Sequence, residues 1–255
     1  RAKQITAHDP DIVHLHWITG GFLSVDTIKQ LDAPVVWTIH DMWPFTGGCH
    51  YSKSCRKYRT ECESCPHLSS QRADDLANAV WKRKKTAWFE SNMTVVSPSR
   101  WLAKEAESSS LLGNKQIKVI PNGIDTNSFR PRSRTAGIQR FELDENQRYV
   151  LFGAAYETSR KGGDLLLKAL EHLGGRDDIT ALTFGSTDVR SVDNQVPTHT
   201  LGNLSESELR LAYNTADVTV VPSREDNLPN IAVESIASGT PCVAFDVGGL
   251  SDIID

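Results

Sequence analysis

Nine short runs rich in β-branched and aromatic residues recur along the chain, and helix-length stretches separate several of them. In the first half they are 11–17, 34–39, 93–96 and 117–120; in the second half they are 149–152, 179–184, 198–201, 217–221 and 241–245. Helical patterns occupy 164–173 and 206–213 among others. Strand, helix, strand in repetition is the order of parallel sheets, so the expected class is α/β. At 255 residues and 39% hydrophobic content, the chain can bury two separate cores. Segment 127–137 holds Pro131, three arginines and no apolar periodicity, which is the composition of a linker between two such sheets. The boundary is therefore expected near Pro131, with domains 1–131 and 132–255.

Charge and hydropathy exclude several function classes. A formal net charge of -4 provides no global attraction to nucleic acid or to an anionic membrane, so no nucleic-acid partner is expected. No apolar run approaches the roughly 20 residues of a spanning helix, and residues 1–10 lack the basic-then-apolar order of a secretory signal. Four of the five cysteines crowd into 49–65, which argues against disulfides distributed over the fold and for a reducing, cytoplasmic setting. The chain has no initiating Met, starts just before a strand and stops at an apparent helix start, so both ends read as truncated.

Two stretches of the second half carry chemistry. Strand 149–152 runs into Gly153-Ala154-Ala155-Tyr156 and then Arg160-Lys161-Gly162-Gly163-Asp164, directly before a helix. Two adjacent cations and two glycines at a helix start can hold a diphosphate, because free N–H groups, the helix dipole and the side-chain charges all favour an anion. Taken alone, the same residues also suit a solvated turn. Further on, 220–230 follows a strand and opens a helix carrying Glu234, at the carboxyl end of the sheet where open α/β folds bind ligands. Asp226 and Glu234 can line one crevice there, or Asp226 and Asn227 can serve as helix caps with Glu234 exposed.

Segment 222–249, the Arg160-Lys161-Gly162 turn and Pro121-Asn122-Gly123-Ile124-Asp125 together resemble retaining glycosyltransferases of family 4, with the GT-B fold. The resemblance covers nearly the whole chain. It implies two facing Rossmann-like domains with parallel sheets, both incomplete here: 1–131 on the acceptor side and 132–255 binding a nucleotide sugar. Arg160 and Lys161 would neutralise the donor diphosphate, Glu234 would bind the ribose and Asp226 would contact the transferred sugar. Asn227, Leu228, Asn122 and Gly123 would complete the donor site, and 201–205 would lie beside the base. The family pattern has two glutamates with seven residues between them, whereas here the first is Asp226 with Glu225 beside it. The implied activity is transfer of a sugar from a nucleotide-sugar donor, a UDP-sugar as first guess, to a glycan or lipid-linked acceptor in bacterial surface polysaccharide synthesis. No cofactor is required for the chemistry on this reading. Other nucleotide-sugar enzymes of this fold, an epimerase or a phosphorylase, and a non-catalytic carbohydrate- or zinc-binding module are the alternatives.

In the first half, 37–41 ends a strand with His40, and in the resembling family a histidine here faces the acceptor and the reacting sugar. A histidine at a strand end can position a hydroxyl at neutral pH, and it can equally be structural. His14 and His16 alternate on one face of their strand and read as packed or loop-bonded. The spacing Cys49-x5-Cys55-x6-Cys62-x2-Cys65 offers four thiolates for a tetrahedral structural zinc, with disulfides or free thiols as the alternatives. The run Trp81-Lys82-Arg83-Lys84-Lys85, followed by Trp88 and Phe89, suits a peripheral contact with the inner face of a membrane. It also suits a solvated helix face with Trp81 or Trp88 in the core.

Overall fold

All nine apolar runs become strands in the computed structural model, which describes residues 1–154, 159–186 and 196–254. Ala155, Tyr156 and Asp255 thus lie outside the described residues. The chain divides into two compact units, Arg1–Asn122 and Gly123–Asp255.

The first unit holds the strands β1 (Val13–Leu15), β2 (Val35–Thr38), β3 (Met93–Ser97) and β4 (Gln116–Val119), paired in that order and all parallel. The helices α1 (Ala2–Thr6), α2 (Leu76–Trp88) and α3 (Arg100–Glu107) flank them. Central strands β2 and β3 are mostly buried, as expected of a parallel sheet covered on both faces. Their core includes Trp37, Ile39 and Val95, and Trp37 meets Trp88 of α2 edge-to-face at 5.1 Å. Helix α2 starts where the Asp75 carboxylate accepts the Asn78 N–H, and the same carboxylate accepts the Cys65 N–H at 2.7 Å. One cap thereby fixes both the helix and the end of the cysteine-rich segment.

In the second unit β5 (Arg148–Ala154), β6 (Ile179–Gly185), β7 (Thr198–Gly202), β8 (Val218–Val221) and β9 (Cys242–Ala244) form a parallel sheet in the order β7-β6-β5-β8-β9. Its helices are α4 (Thr135–Arg140), α5 (Gly163–Glu171), α6 (Glu206–Thr215) and α7 (Asn230–Ala237). Helix α6 opens on a capping box between Ser205 and Glu208, within the 201–205 stretch singled out above.

The junction falls at 122/123 instead of Pro131. Ile124 and Phe129 pack into the second unit's core with Tyr149, Leu151 and Leu182. Pro131 lies so close to Gly239 that a β-carbon there would come within 2.8 Å of the proline ring. The supposed linker also contains the start of α4, which packs on α6 with Gly137 against Thr215. Among the described residues, no helix is long and apolar enough to cross a membrane.

The basic run of α2 takes the second of its two readings. Trp81, Lys84, Ala87 and Trp88 are buried, while Lys82, Arg83 and Lys85 stay exposed. Arg83 pairs with Asp26, and Lys85 sits over the Trp81 ring. The two tryptophans that would enter a membrane surface are therefore core residues.

Candidate functional site

Strands β5 and β8 are hydrogen-bonded neighbours although β6 and β7 lie between them in sequence. The chain therefore leaves the sheet centre in opposite directions there, the switch point at which open α/β sheets bind ligands. The turn after β5 and the loop after β8 meet at that point. Gly162, at φ +74°, caps α5, and a β-carbon on it would sit 1.9 Å from the Pro222 carbonyl oxygen, so only glycine fits. Arg224 N–H donates to Arg160 O at 2.8 Å, and the Arg224 guanidinium grips both oxygens of Asp164 at 2.7 and 2.6 Å. Helices α5 and α7 both start here with no side-chain cap among the described residues, so the N–H groups at the very start of each are not satisfied by a capping side chain.

Three of the sequence-selected residues converge in this seam. Asp226 is 5% exposed, with Arg160 Nη1 at 3.1 Å from its Oδ1 and Lys161 Nζ at 2.7 Å from its Oδ2. The Ser223 hydroxyl and the Asn227 N–H donate to the same carboxylate, each at 3.1 Å. Burial pushes the Asp226 carboxyl up, and the Lys161 and Arg160 cations outweigh this and hold it below the usual carboxylate range. Two carboxylate oxygens offer about four acceptor positions, and four donors fill them. Asp226 is therefore the counter-ion of the two cations in this structure, its carboxylate held by donors of its own unit. Two cations and one carboxylate leave the cluster with a net positive charge at the helix starts.

Glu234 belongs to a separate network. On α7 it accepts the Tyr213 hydroxyl at 2.7 Å, its hydrogen-bond partner among the described residues. Burial raises the Glu234 carboxyl above its ordinary value, the Tyr213 bond opposing, and Tyr213 itself is pushed up by burial and by the Glu234 charge. Sequence reasoning missed Tyr213; its signal was a tyrosine on the apolar side of the 206–213 helical pattern. Asn227 is buried and Leu228 half-buried, whereas Asn122 and Gly123 stand at the junction, with open space where a β-carbon on Gly123 would point.

In the first unit, His40 follows β2 and is joined to β1. His16 Nδ1 and His40 Nε2 lie 3.0 Å apart, so one nitrogen donates to the other, and the rings stack at 5.3 Å. His14 bonds the Thr38 hydroxyl at 2.9 Å instead. Burial, then His16, lower the His40 pKa, and Asp41 opposes them. Asp41 is held by the Trp43 N–H and by His50 Nδ1, both at 2.8 Å, and that bond raises the His50 pKa against the effect of burial. His16, expected as packed or loop-bonded, is thus a direct partner of His40.

Cys49, Cys55, Cys62 and Cys65 all line one cavity of about 470 Å³, and none forms a disulfide. Among the described residues no three His, Cys, Asp or Glu side chains are arranged to hold a metal ion. Burial raises the Cys49 thiol and pushes the Cys62 thiol up to about 11.

Two family models match the chain: "Glycosyltransferase Family 4" over residues 2–128 and "Glycosyl transferases group 1" over residues 147–255. A putative colanic acid biosynthesis glycosyl transferase, WcaC, from Escherichia coli K12 is 26% identical over 92% of this chain and 60% of its own length. Sulfoquinovosyl transferase SQD2 of Arabidopsis thaliana is 26% identical over 99% of this chain and 46% of its own. Among solved structures, Anabaena HepE in complex with UDP and glucose superposes with a TM-score of 0.70 at 17% identity, over 100% of this chain and 65% of that one. Sucrose-phosphate synthase from Thermosynechococcus elongatus superposes at 0.69 and 20% identity, over 98% and 61%. The chain thus spans about three fifths of the length of WcaC and of the synthase.

Proposed function

Since the chain belongs to the group 1 glycosyltransferases of family 4 and has their GT-B fold, we propose that it moves a sugar from a nucleoside-diphosphate sugar to a glycan or lipid-linked acceptor, with retention at the anomeric carbon. The observation that carries this reading is the seam between β5 and β8. Two cations and two uncapped helix starts stand together where such folds bind ligands. As the glycosidic bond breaks, negative charge grows on the departing diphosphate. Arg160, Lys161 and the start of α5 take up that charge, the part a divalent metal plays in other sugar transferases. Asp226 keeps both cations aimed before the donor arrives, and Glu234, steadied by Tyr213, receives the ribose hydroxyls.

In the first unit His40 positions the acceptor hydroxyl, with its ring orientation set by His16. UDP is the favoured nucleotide: the solved relative HepE holds UDP. The name of the relative WcaC, a putative colanic acid biosynthesis glycosyl transferase, supports a role in surface polysaccharide synthesis.

Thermal unfolding with UDP, GDP, ADP and dTDP tests the reading. A nucleotide at 100 times its Kd stabilises the fold by about 2.7 kcal/mol. Stabilisation by one nucleotide, abolished in Glu234→Gln, is expected. No response to any of the four would refute a nucleotide-sugar site.

A further inference from the structure

Four thiols and one lysine of the first unit are not used by the sugar-transfer reading above. Lys84 has no exposed surface. Its ammonium donates to the carbonyls of Trp43 and Thr46 and lies 3.6 Å from the Trp43 ring centroid. Among the described residues no carboxylate is within ion-pair distance of it. A buried ammonium without a counter-charge is costly, and carbonyl dipoles compensate it only in part.

Lysine and thiols meet at a single amide. The Lys84 ammonium donates to Thr46 O at 3.0 Å, and the N–H of the same peptide group, that of Gly47, donates to Cys62 Sγ at 3.1 Å. The negative end of the amide therefore faces the ammonium and its positive end the sulfur, so one peptide group links the buried lysine to the cysteine-lined cavity. Only glycine permits the approach: a β-carbon on residue 47 would lie 2.8 Å from the Cys62 β-carbon and 2.5 Å from Ala77 O. Cys49, Cys55 and Cys65 line the same cavity as Cys62, and Asp75 ties the far end of the segment to α2.

We propose that Cys49, Cys55, Cys62 and Cys65 form a site for a thiophilic divalent cation, zinc by ligand type, and that Lys84 is its buried counter-charge. Four thiolates around a divalent cation carry a net charge of about −2. A dianion of that kind supplies what the lysine lacks, and the lysine offsets part of the charge that the cavity would have to bury. On binding, four S–H bonds break, four metal–sulfur bonds form and four protons leave to solvent, with no change of oxidation state. The four sulfurs, now spread around the cavity, close on the ion. The site anchors the segment that continues from His40.

Metal analysis of the chain purified without chelator should find about one zinc per molecule. Cys55→Ser should lose it and Cys242→Ser, in the other unit, should keep it. Thiol alkylation read by mass should reach only Cys242 in the zinc-loaded chain and all five cysteines after chelation. Lys84→Gln keeps a donor for the two carbonyls without the charge. It should bind zinc at least about tenfold more weakly against a competing chelator, the lower end of what outer-sphere changes cost, whereas Lys84→Arg should bind as the parent does. A reduced chain that takes up no zinc, two disulfides in the native chain, or zinc retained by Cys55→Ser overturns the site. Equal affinity in Lys84→Gln overturns the counter-charge. Should the lysine variants not fold, the parent chain and Cys55→Ser still decide the site.

Discussion

Replacing Asp226 by Asn removes one charge and leaves the shape of the seam in place, so it isolates what the carboxylate does. Asp226 is 5% exposed and each of its two cations retains about a quarter of its side-chain exposure, 26%. Breaking a wholly buried pair from one side costs about 3–5 kcal/mol. Here the stranded cations can recover water on their open side, so the expected loss is about 2–4 kcal/mol at pH 7. Urea unfolding of the parent and of Asp226→Asn measures it. The Asp226 carboxyl is held below its usual value, so its contribution is complete from about pH 5 upward and disappears as the pH falls through the lowered pKa. The two proteins should therefore differ at neutral pH and converge in acid. Nucleotide should then restore more stability to the variant than to the parent, because a diphosphate replaces the missing anion. A difference under about 0.5 kcal/mol at pH 7, the range of an ordinary surface substitution, would refute the assignment of Asp226 as the counter-ion.

Other outcomes follow from the same geometry. Arg160→Ala and Lys161→Ala should each weaken UDP binding by about 1.5–3 kcal/mol in titration calorimetry, the range for charge-assisted bonds; unchanged affinity in both would remove the diphosphate from this seam. Glu234 must be ionised to accept two ribose hydroxyls, and the Tyr213 bond lowers its raised pKa. UDP affinity should consequently fall on acidification above the usual carboxylate range, and in Tyr213→Phe the fall should start at higher pH; identical pH profiles would count against Tyr213 as the residue that steadies Glu234. His16 depresses the His40 pKa, so His16→Asn should shift the His40 titration, followed by NMR, to higher pH, and no shift would deny the coupling.

Sheet elements were readable because each parallel strand is a continuous apolar run flanked by breakers, a pattern that depends on local sequence alone. Segment 127–137 misled for the same reason. One phenylalanine, Phe129, anchors it to the second core, and one residue has no periodicity. The Arg160-Lys161 turn stood out in the sequence as a candidate anion site because its charges adjoin the glycines of a helix start, and the structure does place that start at the sheet's switch point. The partners of the candidate residues were not legible. Asp226 meets Lys161 from 65 positions away, and Tyr213 reaches Glu234 across 21. Such pairings arise only once sheet order is set. Lys84 looked like one more solvated cation, yet it shares a helix face with Trp81 and Trp88, and that face turns inward. His16 and His40 become neighbours only through the register of β1 on β2, which sets Leu15 beside Trp37.

The pairing of β5 with β8 also bears on how the second unit comes into being. Val150 must find Val218 after the whole excursion through β6, β7 and α6 has been synthesised. Contacts so distant in sequence carry a loop-closure cost before they return any stability, so they form late and slowly. Arg160 and Lys161 lie on one side of that closure and Asp226 on the other. Until β8 docks, the two cations therefore lack the Asp226 carboxylate as their counter-ion. The proposed donor site is in this sense a product of long-range folding, and a nucleotide that recognises it would bind only molecules in which β5 and β8 have paired.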